Sequence, residues 1–185
     1  MRLLTFAAGL LATLLGIANL PAHAADGFKL VSPDIKPGSK IGADFVFNSF
    51  GCTGKNLSPA LSWSGAPAGT KSFVLTVYDP DAPTGSGFWH WVMYDIPASV
   101  TSLPQGAGVP GKEPAGAVQG GTDYGMPGYG GPCPPPGSNH RYVFTLYAVK
   151  VDKLEVPPNP TAAVVGFATH FTMLGKASFT AKYGR

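Results

Sequence analysis

Two segments of the chain concentrate side chains that could bind or transform a charged ligand. The first runs from Asp79-Pro80-Asp81-Ala82-Pro83 to Trp89-His90-Trp91, and the second is His140-Arg141-Tyr142. Imidazole and phenol groups donate hydrogen bonds that suit a phosphate-type anion. Imidazole together with carboxylate is also an ordinary ligand set for a divalent metal. The residue types therefore indicate either an anion pocket or a metal-dependent hydrolase site.

Each of these groups has a simpler interpretation when it is taken alone. The Asp-Pro-Asp-Ala-Pro segment is typical of a turn, because Asp accepts local backbone hydrogen bonds and Pro fixes the bend. A histidine between two tryptophans is compatible with a core position, and His140 is compatible with the surface. We interpret His170, in a helix expected to be covered, as structural. No H-E-x-x-H, G-x-S-x-G or other nucleophile motif is present. We therefore expect a binding site that performs no catalysis and holds neither a metal nor a cofactor.

Strand geometry predicts how the polar side chains are arranged. Alternate residues of a strand share a face, so His140 and Tyr142 should point the same way and Arg141 the other. By the same rule His90 should lie on one face and both flanking tryptophans on the opposite face. If the strands that carry them are neighbours, five polar side chains would converge at one end of a sheet: Asp79, Asp81, His90, His140 and Tyr142.

The elements that would position these residues are mostly short strands separated by Gly and Pro. The clearest strands are predicted over 72–78, 88–94 and 141–150, with shorter ones over 28–31, 44–47 and 60–63. One helix is predicted over 162–174, with Gly175 as its C-terminal stop and a final strand over 177–183. That helix is apolar nearly all round, so it should be largely covered. The pattern is typical of a mainly β, antiparallel fold.

Residues 101–139 form the longest stretch without a periodic pattern. Nineteen of these 39 residues are Gly or Pro. A long segment of this kind inside a compact domain is usually functional or disordered, and the tyrosines at 124 and 129 favour an ordered loop. Its end, residues 130–137, is rich enough in Pro to form a stiff pocket wall.

The N-terminus predicts export. A basic residue, an apolar run over 3–17 and Ala22-His23-Ala24 have the order of a secretory signal peptide, and the run is short for a membrane anchor. We therefore predict a signal peptide over 1–24, a single domain over 25–185 without a transmembrane segment, and a periplasmic or secreted location. Loss of Arg2 leaves 12 basic and 10 acidic residues, a net charge of +2 with scattered lysines. This composition argues against nucleic-acid binding.

Cys52 and Cys133 are the only cysteines of the chain. Their separation excludes a C-x-x-C redox motif, and two thiols are too few for a zinc ribbon. In an oxidising compartment the expected state is one structural disulfide, with two unpaired buried thiols as the alternative.

The ordered motifs resemble the phosphatidylethanolamine-binding protein family, also called the Raf kinase inhibitor protein family. Asp79-Pro80-Asp81-Ala82-Pro83, Trp89-His90-Trp91 and the segment from Gly131-Pro132 to His140-Arg141-Tyr142 are similar to its successive signatures. Asn56-Leu57-Ser58-Pro59 with Leu61-Ser62-Trp63, and the end of the chain, resemble its bacterial branch. The likeness spans nearly the whole mature chain, and the signal peptide suggests an exported member.

This resemblance implies a large antiparallel sheet packed with a smaller sheet, peripheral helices and a C-terminal helix. It also implies a pocket for a small phosphate-type anion or a phospholipid head group, without catalysis. The implied pocket residues are Asp79, Asp81, His90, His140 and Tyr142, with Gly131 and Pro134 in the wall. Two alternatives stay open: an inhibitor of a peptidase or kinase that acts through the pocket rim, and the metal-dependent hydrolase. The protein target is unknown, and a homodimer is left open.

Overall fold

Strands rich in Val, Phe and Tyr build two antiparallel sheets within residues 27–185, the part of the chain that the computed structural model describes. The larger sheet has the order β6–β4–β3–β7–β8, and the smaller has the order β1–β2–β5. The strands are β1 (Lys29–Val31), β2 (Leu61–Ser64), β3 (Ser72–Asp79), β4 (Phe88–Pro97), β5 (Ser102–Leu103), β6 (Val118–Gln119), β7 (Asn139–Val149) and β8 (Met173–Gly184). One helix, α1, spans Ala162–Thr172. The mainly β fold is therefore confirmed, whereas the predicted signal peptide, 1–24, lies outside the described residues.

Strand β3 is the centre of the larger sheet and is buried on both faces. One face belongs to a large core that includes Leu75, Trp91, Phe144 and residues of the smaller sheet such as Leu61. The other face carries Val74 and a second, smaller core beneath α1. Because β4 and β7 flank β3, the three strands expected to carry the polar residues are indeed neighbours. Their shared end is where the candidate site lies.

Three predictions about local structure are wrong. The segment predicted as a strand over 44–47 contains instead a 3₁₀ turn, Ala43–Phe45. Its backbone groups form hydrogen bonds within the turn and with the following loop. The N–H of Phe45 donates to the carbonyl of Gly42, and the N–H of Lys55 donates to the carbonyl of Ala43. These bonds replace the strand ladder that the apolar residues suggested.

The helix ends two residues early, and the final strand begins at once. Gly175 does not stop the helix, because it lies inside β8 and pairs with Ala148. A Cβ at position 175 would lie 2.9 Å from Cγ of Pro67, so close packing explains the glycine. The final strand, predicted over 177–183, therefore begins four residues earlier, at Met173.

The helix is also less covered than its composition suggested. Its buried residues are Ala162, Val165 and Thr169, whereas Phe167 and Phe171 are 68% and 62% exposed. His170 is exposed as well and stacks edge-on with Phe171, so it has no buried structural role. In residues 27–185 no helix is long and apolar enough to cross a membrane.

Candidate functional site

The candidate site is a cavity of about 160 Å³ at the end of the larger sheet where β3 stops, β4 starts and β7 starts. We call it the His/Asp cavity. The predicted residues that line it are Asp79, His90, Pro134, His140 and Tyr142. The two histidine-bearing motifs are thus brought together as expected, although His90 and His140 are 50 positions apart in the sequence.

His140 and Asp79 form a buried pair at the base of this cavity. The Nδ1 atom of His140 lies 2.7 Å from Oδ2 of Asp79 and donates to it. The other carboxylate oxygen of Asp79 accepts from the backbone N–H of Asp81 at 2.8 Å. Both side chains are at least nine-tenths buried. This pairing fixes the imidazole so that Nε2 is the nitrogen left for a ligand.

Both the backbone and the side chain of His90 are bonded to the wall loop, residues 130–137. Its Nδ1 lies 2.8 Å from the carbonyl of Gly130, and Gly130 N–H donates to the carbonyl of His90. Because a carbonyl only accepts, Nδ1 carries the proton in this bond. The Nε2 atom of His90 is buried without a hydrogen-bond partner and lies 4.0 Å from Oδ2 of Asp79. Burial lowers the pKa of His90, and the bond to Gly130 and the charge of Asp79 oppose that shift in part.

A β-bulge, which the alternation rule missed, aims His90 into the cavity. Val77 pairs with Trp91 and Tyr78 pairs with Trp89, which leaves His90 as the extra residue of β4. As a result the two tryptophans lie on opposite faces, not on the same face as predicted. Trp91 belongs to the large core, whereas Trp89 packs against the smaller core beneath the helix.

Tyr142 and the neighbouring aromatic rings form the rest of the lining. The rings of Tyr142 and His90 meet edge-on with centroids 5.0 Å apart, and the rings of Tyr124 and Phe88 also lie against His90, with centroids 5.5 and 5.1 Å away. The Tyr142 hydroxyl is buried without a partner, whereas the Tyr124 hydroxyl donates to the carbonyl of Gly131. Burial raises the pKa of both phenols, and Asp79 raises them further, so both stay un-ionised.

Asp81 is not part of the lining, in contrast to the prediction. Its carboxylate accepts from the Arg141 backbone N–H at 2.8 Å and from the Arg141 guanidinium at 2.7 and 2.9 Å. These bonds lower the pKa of Asp81 to about 2. Arg141 points away from His140 and Tyr142, as alternation predicted, and it draws Asp81 to the outer rim. The role of Asp81 is therefore to hold β7 beside the turn after β3.

The wall loop is fixed by a covalent bond and by a cationic clamp. Cys52 and Cys133 form a disulfide with their Cα atoms 6.0 Å apart, which confirms the predicted pairing. Arg185 donates through Nε to the carbonyl of Pro134 at 2.8 Å and through its other nitrogens to the carbonyls of Gly51 and Phe50. The position of the wall loop therefore depends on the loop that contains Cys52 and on Arg185.

Gly131 contributes to the wall through its backbone, but its polar atoms already have partners. Its N–H donates to Oδ1 of Asn56 at 2.7 Å, and its carbonyl accepts from Tyr124. A Cβ here would lie 2.1 Å from the carbonyl oxygen of Phe45, so only glycine fits. Gly131 is thus a packing residue of the wall, with neither polar atom open to a ligand.

Three cavity residues had no signal in the sequence as site residues. Phe88 and Phe50 are apolar, and Tyr124 lies in the Gly/Pro-rich loop, so nothing in the local pattern marked them. Phe50 stands at the mouth, 71% exposed, within 6.2 Å of the Tyr124 ring. Together they make the entrance aromatic above a polar base.

The polar atoms of the cavity determine what it can bind. Of the three buried side-chain nitrogen or oxygen atoms without a partner in residues 27–185, two belong to the cavity, namely His90 Nε2 and Tyr142 Oη. With neutral imidazoles, the cavity offers two nitrogen lone pairs, one phenol O–H and the Asp79 carboxylate. Within the same residues no set of three or more His, Cys, Asp or Glu side chains is arranged to hold a metal ion.

Comparison with known proteins gives a consistent picture. The profile of the family described as phosphatidylethanolamine-binding protein matches residues 31–184. The UPF0098 protein YbcL of Escherichia coli is 47% identical over 177 residues, which cover 94% of this chain and 96% of YbcL. The UPF0098 protein YbhB of the same organism is 49% identical, with 84% of this chain and 99% of YbhB covered.

Two further relatives bear on fold and on location. The crystal structure of E. coli YbcL, described as a new member of the mammalian PEBP family, matches with a TM-score of 0.83 and 48% identity, over 85% of this chain and 98% of that one. A Mycobacterium tuberculosis relative, 37% identical over 86% of this chain and 74% of its own length, is named putative lipoprotein LppC. A lipoprotein name on a relative, together with the disulfide, fits export.

Proposed function

Because the chain belongs to the phosphatidylethanolamine-binding protein family, we propose that it binds a phosphate-type anion in the His/Asp cavity without transforming it. The observation that carries this proposal is the pair of buried, unpartnered polar atoms, His90 Nε2 and Tyr142 Oη, at the base of a small cavity. Buried polar groups normally have partners, and each unpartnered one destabilises the fold by about 1–3 kcal/mol. A ligand that satisfies both atoms recovers that free energy.

The charges of the cavity require that the anion enters together with protons. Asp79 repels an anion, and because Nδ1 of His90 and Nδ1 of His140 donate to Gly130 and Asp79, it is the Nε2 atoms that remain for the anion. Protons on the imidazoles or on the ligand remove this conflict. Affinity should therefore fall as the pH rises from 5.5 to 8, because the protonated forms are lost.

Binding without catalysis is favoured by the state of the other reactive groups. The hydroxyl of Thr84 is engaged with the carbonyl of Gly87, and Cys133 is held in the disulfide. Neither is therefore free to act as a nucleophile activated by the His140–Asp79 pair.

Titration calorimetry with inorganic phosphate and with O-phosphoethanolamine tests this function. The paired substitution His90→Ala with His140→Ala should reduce the affinity at least tenfold, since it removes both Nε2 atoms. His170→Ala, on the exposed face of α1, is the matched control and should leave the affinity unchanged. If the double variant binds as tightly as the unsubstituted protein, the His/Asp cavity is not the site.

A second candidate function is inhibition of a partner protein through the rim. Phe50 favours it, because the side chain is 71% exposed while its backbone carbonyl is held by Arg185. A rigidly presented aromatic side chain is typical of an interface anchor. In pull-downs, we expect a stoichiometric partner to be lost with Phe50→Ser. The same partner should be retained with Phe171→Ser, on the helix. An equal partner yield with both variants would contradict it.

The proposed location is the periplasm or beyond. The disulfide and the lipoprotein relative support this location, because disulfides persist in oxidising compartments. The protein should be released by osmotic shock in a form cleaved after Ala24; recovery of uncleaved chain with the cytoplasmic fraction would contradict this.

A further inference from the structure

The two histidines of the His/Asp cavity have their proton-bearing nitrogens committed to the protein itself. In His90 that nitrogen donates to the carbonyl of Gly130, and in His140 it donates to Asp79. In each imidazole Nε2 is therefore the nitrogen left for a ligand. A carbonyl and a carboxylate cannot donate in return, so rotating the rings would lose both bonds.

The charged and titratable groups around His90 do not supply the missing donor. Asp79 on β3 lies 4.0 Å from Nε2, beyond hydrogen-bond distance. Asp123 in the loop accepts from the backbone N–H of Trp89, and Tyr124 donates its proton to Gly131. On β7, His140 is engaged with Asp79. Among the lining side chains within residues 27–185, Tyr142 has a buried hydroxyl without a hydrogen-bond partner, and it can donate a single proton.

We propose that the His/Asp cavity selects oxyanions that carry their own acidic O–H, which donates to Nε2 of His90 while Tyr142 donates to another oxygen. This inference rests on the proposed anion binding and names the ligand class within it: inorganic phosphate and protonated phosphomonoesters. A phosphodiester and a sulfate have no such proton in the pH range in which proteins are folded. They would place an oxygen lone pair against the lone pair of Nε2 and against the Asp79 carboxylate.

Burial makes the distinction strong. His90 is 3% exposed, and the same burial lowers the pKa of its imidazole and so disfavours a proton there. Sites built around a buried hydrogen bond reject analogues that lack the hydroxyl much more strongly than sites built on apolar contact. We expect phosphate to bind at least about tenfold more tightly than sulfate.

Calorimetry at pH 6 with five probes tests the inference: inorganic phosphate, O-phosphoethanolamine, glycerophosphoethanolamine, sulfate and ethanolamine. The first two should bind, and the phosphodiester and sulfate should bind at least about tenfold more weakly. Between pH 6 and pH 8 the phosphomonoester should weaken more than inorganic phosphate, because its last proton has a pKa of about 6. This difference shows whether the required proton is on the ligand or on an imidazole. Loss of a proton from an imidazole would weaken the binding of both ligands equally.

His90→Asn is the matched variant, because its amide can still donate to Gly130 but leaves no atom in the place of Nε2. The ratio of phosphate to sulfate affinity should approach one in this variant and stay unchanged in His170→Asn. Equal binding of phosphate and sulfate by the unsubstituted protein would overturn the selectivity and leave anion binding intact. Binding of ethanolamine without binding of any phosphate would overturn both.

Discussion

Removal of the Cys52–Cys133 disulfide is the perturbation whose effect the structure predicts most directly. The bond closes a loop with a sequence separation of 81 residues. On the chain-entropy model such a cross-link stabilises the folded state by about 4.5 kcal/mol, an upper-end value. For a chain of this size that corresponds to a decrease of roughly 9–18 °C in melting temperature when the bond is removed.

The effect on ligand binding should be smaller than the effect on stability. Cys133 lies in the cavity wall, next to Pro134. Arg185 still ties Pro134 to the carbonyls of Gly51 and Phe50 when the bond is gone. We therefore expect the cavity to persist, with phosphate affinity lowered about tenfold or less. Adding Arg185→Ala should loosen the wall and lower the affinity further.

Calorimetric melting of the oxidised protein, the reduced protein and a Cys52→Ser/Cys133→Ser variant provides the measurement. The reduced protein and the serine variant should melt at the same, lower temperature, which separates loss of the cross-link from side effects of the reductant. The Arg185→Ala variant with the disulfide intact is the matched control for the wall. A melting temperature that shifts by less than about 2 °C on reduction would refute the reasoning, as would two freely alkylated thiols in protein recovered from the periplasm.

Two further predictions concern the atoms that have no partner in the cavity. Tyr142→Phe should raise the stability of the ligand-free protein by about 1 kcal/mol, since it removes a buried unsatisfied hydroxyl, and it should weaken phosphate binding. Melting curves with and without phosphate measure both effects, and a destabilised variant would contradict the prediction. The lowered pKa of His90 makes the unfolded chain bind more protons than the folded one below pH 6.5, so stability should fall toward pH 5 by up to about 1.4 kcal/mol per pH unit; His90→Asn should flatten this slope, whereas His170→Asn should not.

Most of the fold could be predicted because long strands carry redundant signals. Residues 72–79 and 139–149 combine β-branched and aromatic residues with clear ends, and both strands were located within two residues. The segment around 44–47 has the same composition but only a few residues. There the backbone bonds from Lys55 and Leu57 decide the conformation, and no local pattern contains them. The early helix end has a similar cause, because pairing with β7 takes over at Met173.

The candidate site could be predicted as a set of residues but not as an arrangement. Alternation placed His140, Tyr142 and Arg141 correctly, because β7 is regular there. It failed at His90, because one extra residue in β4 shifts every side chain on one side of the bulge to the other face. It also gave no sign that Arg141 would draw Asp81 outward, because an ion pair between two elements depends on how they pack.

The bulge at His90 connects these errors to the proposed function. A regular strand would have left the imidazole on a fixed face with its neighbours paired across the ladder. The extra residue disrupts that ladder and lets Gly130 bond both to the backbone and to the ring of His90. The result is a buried nitrogen whose lone pair has no partner, beside a buried hydroxyl in the same state. Both features destabilise the ligand-free fold, and the anion proposed above would satisfy them. A ligand that does so should raise the melting temperature with the logarithm of its concentration relative to its Kd.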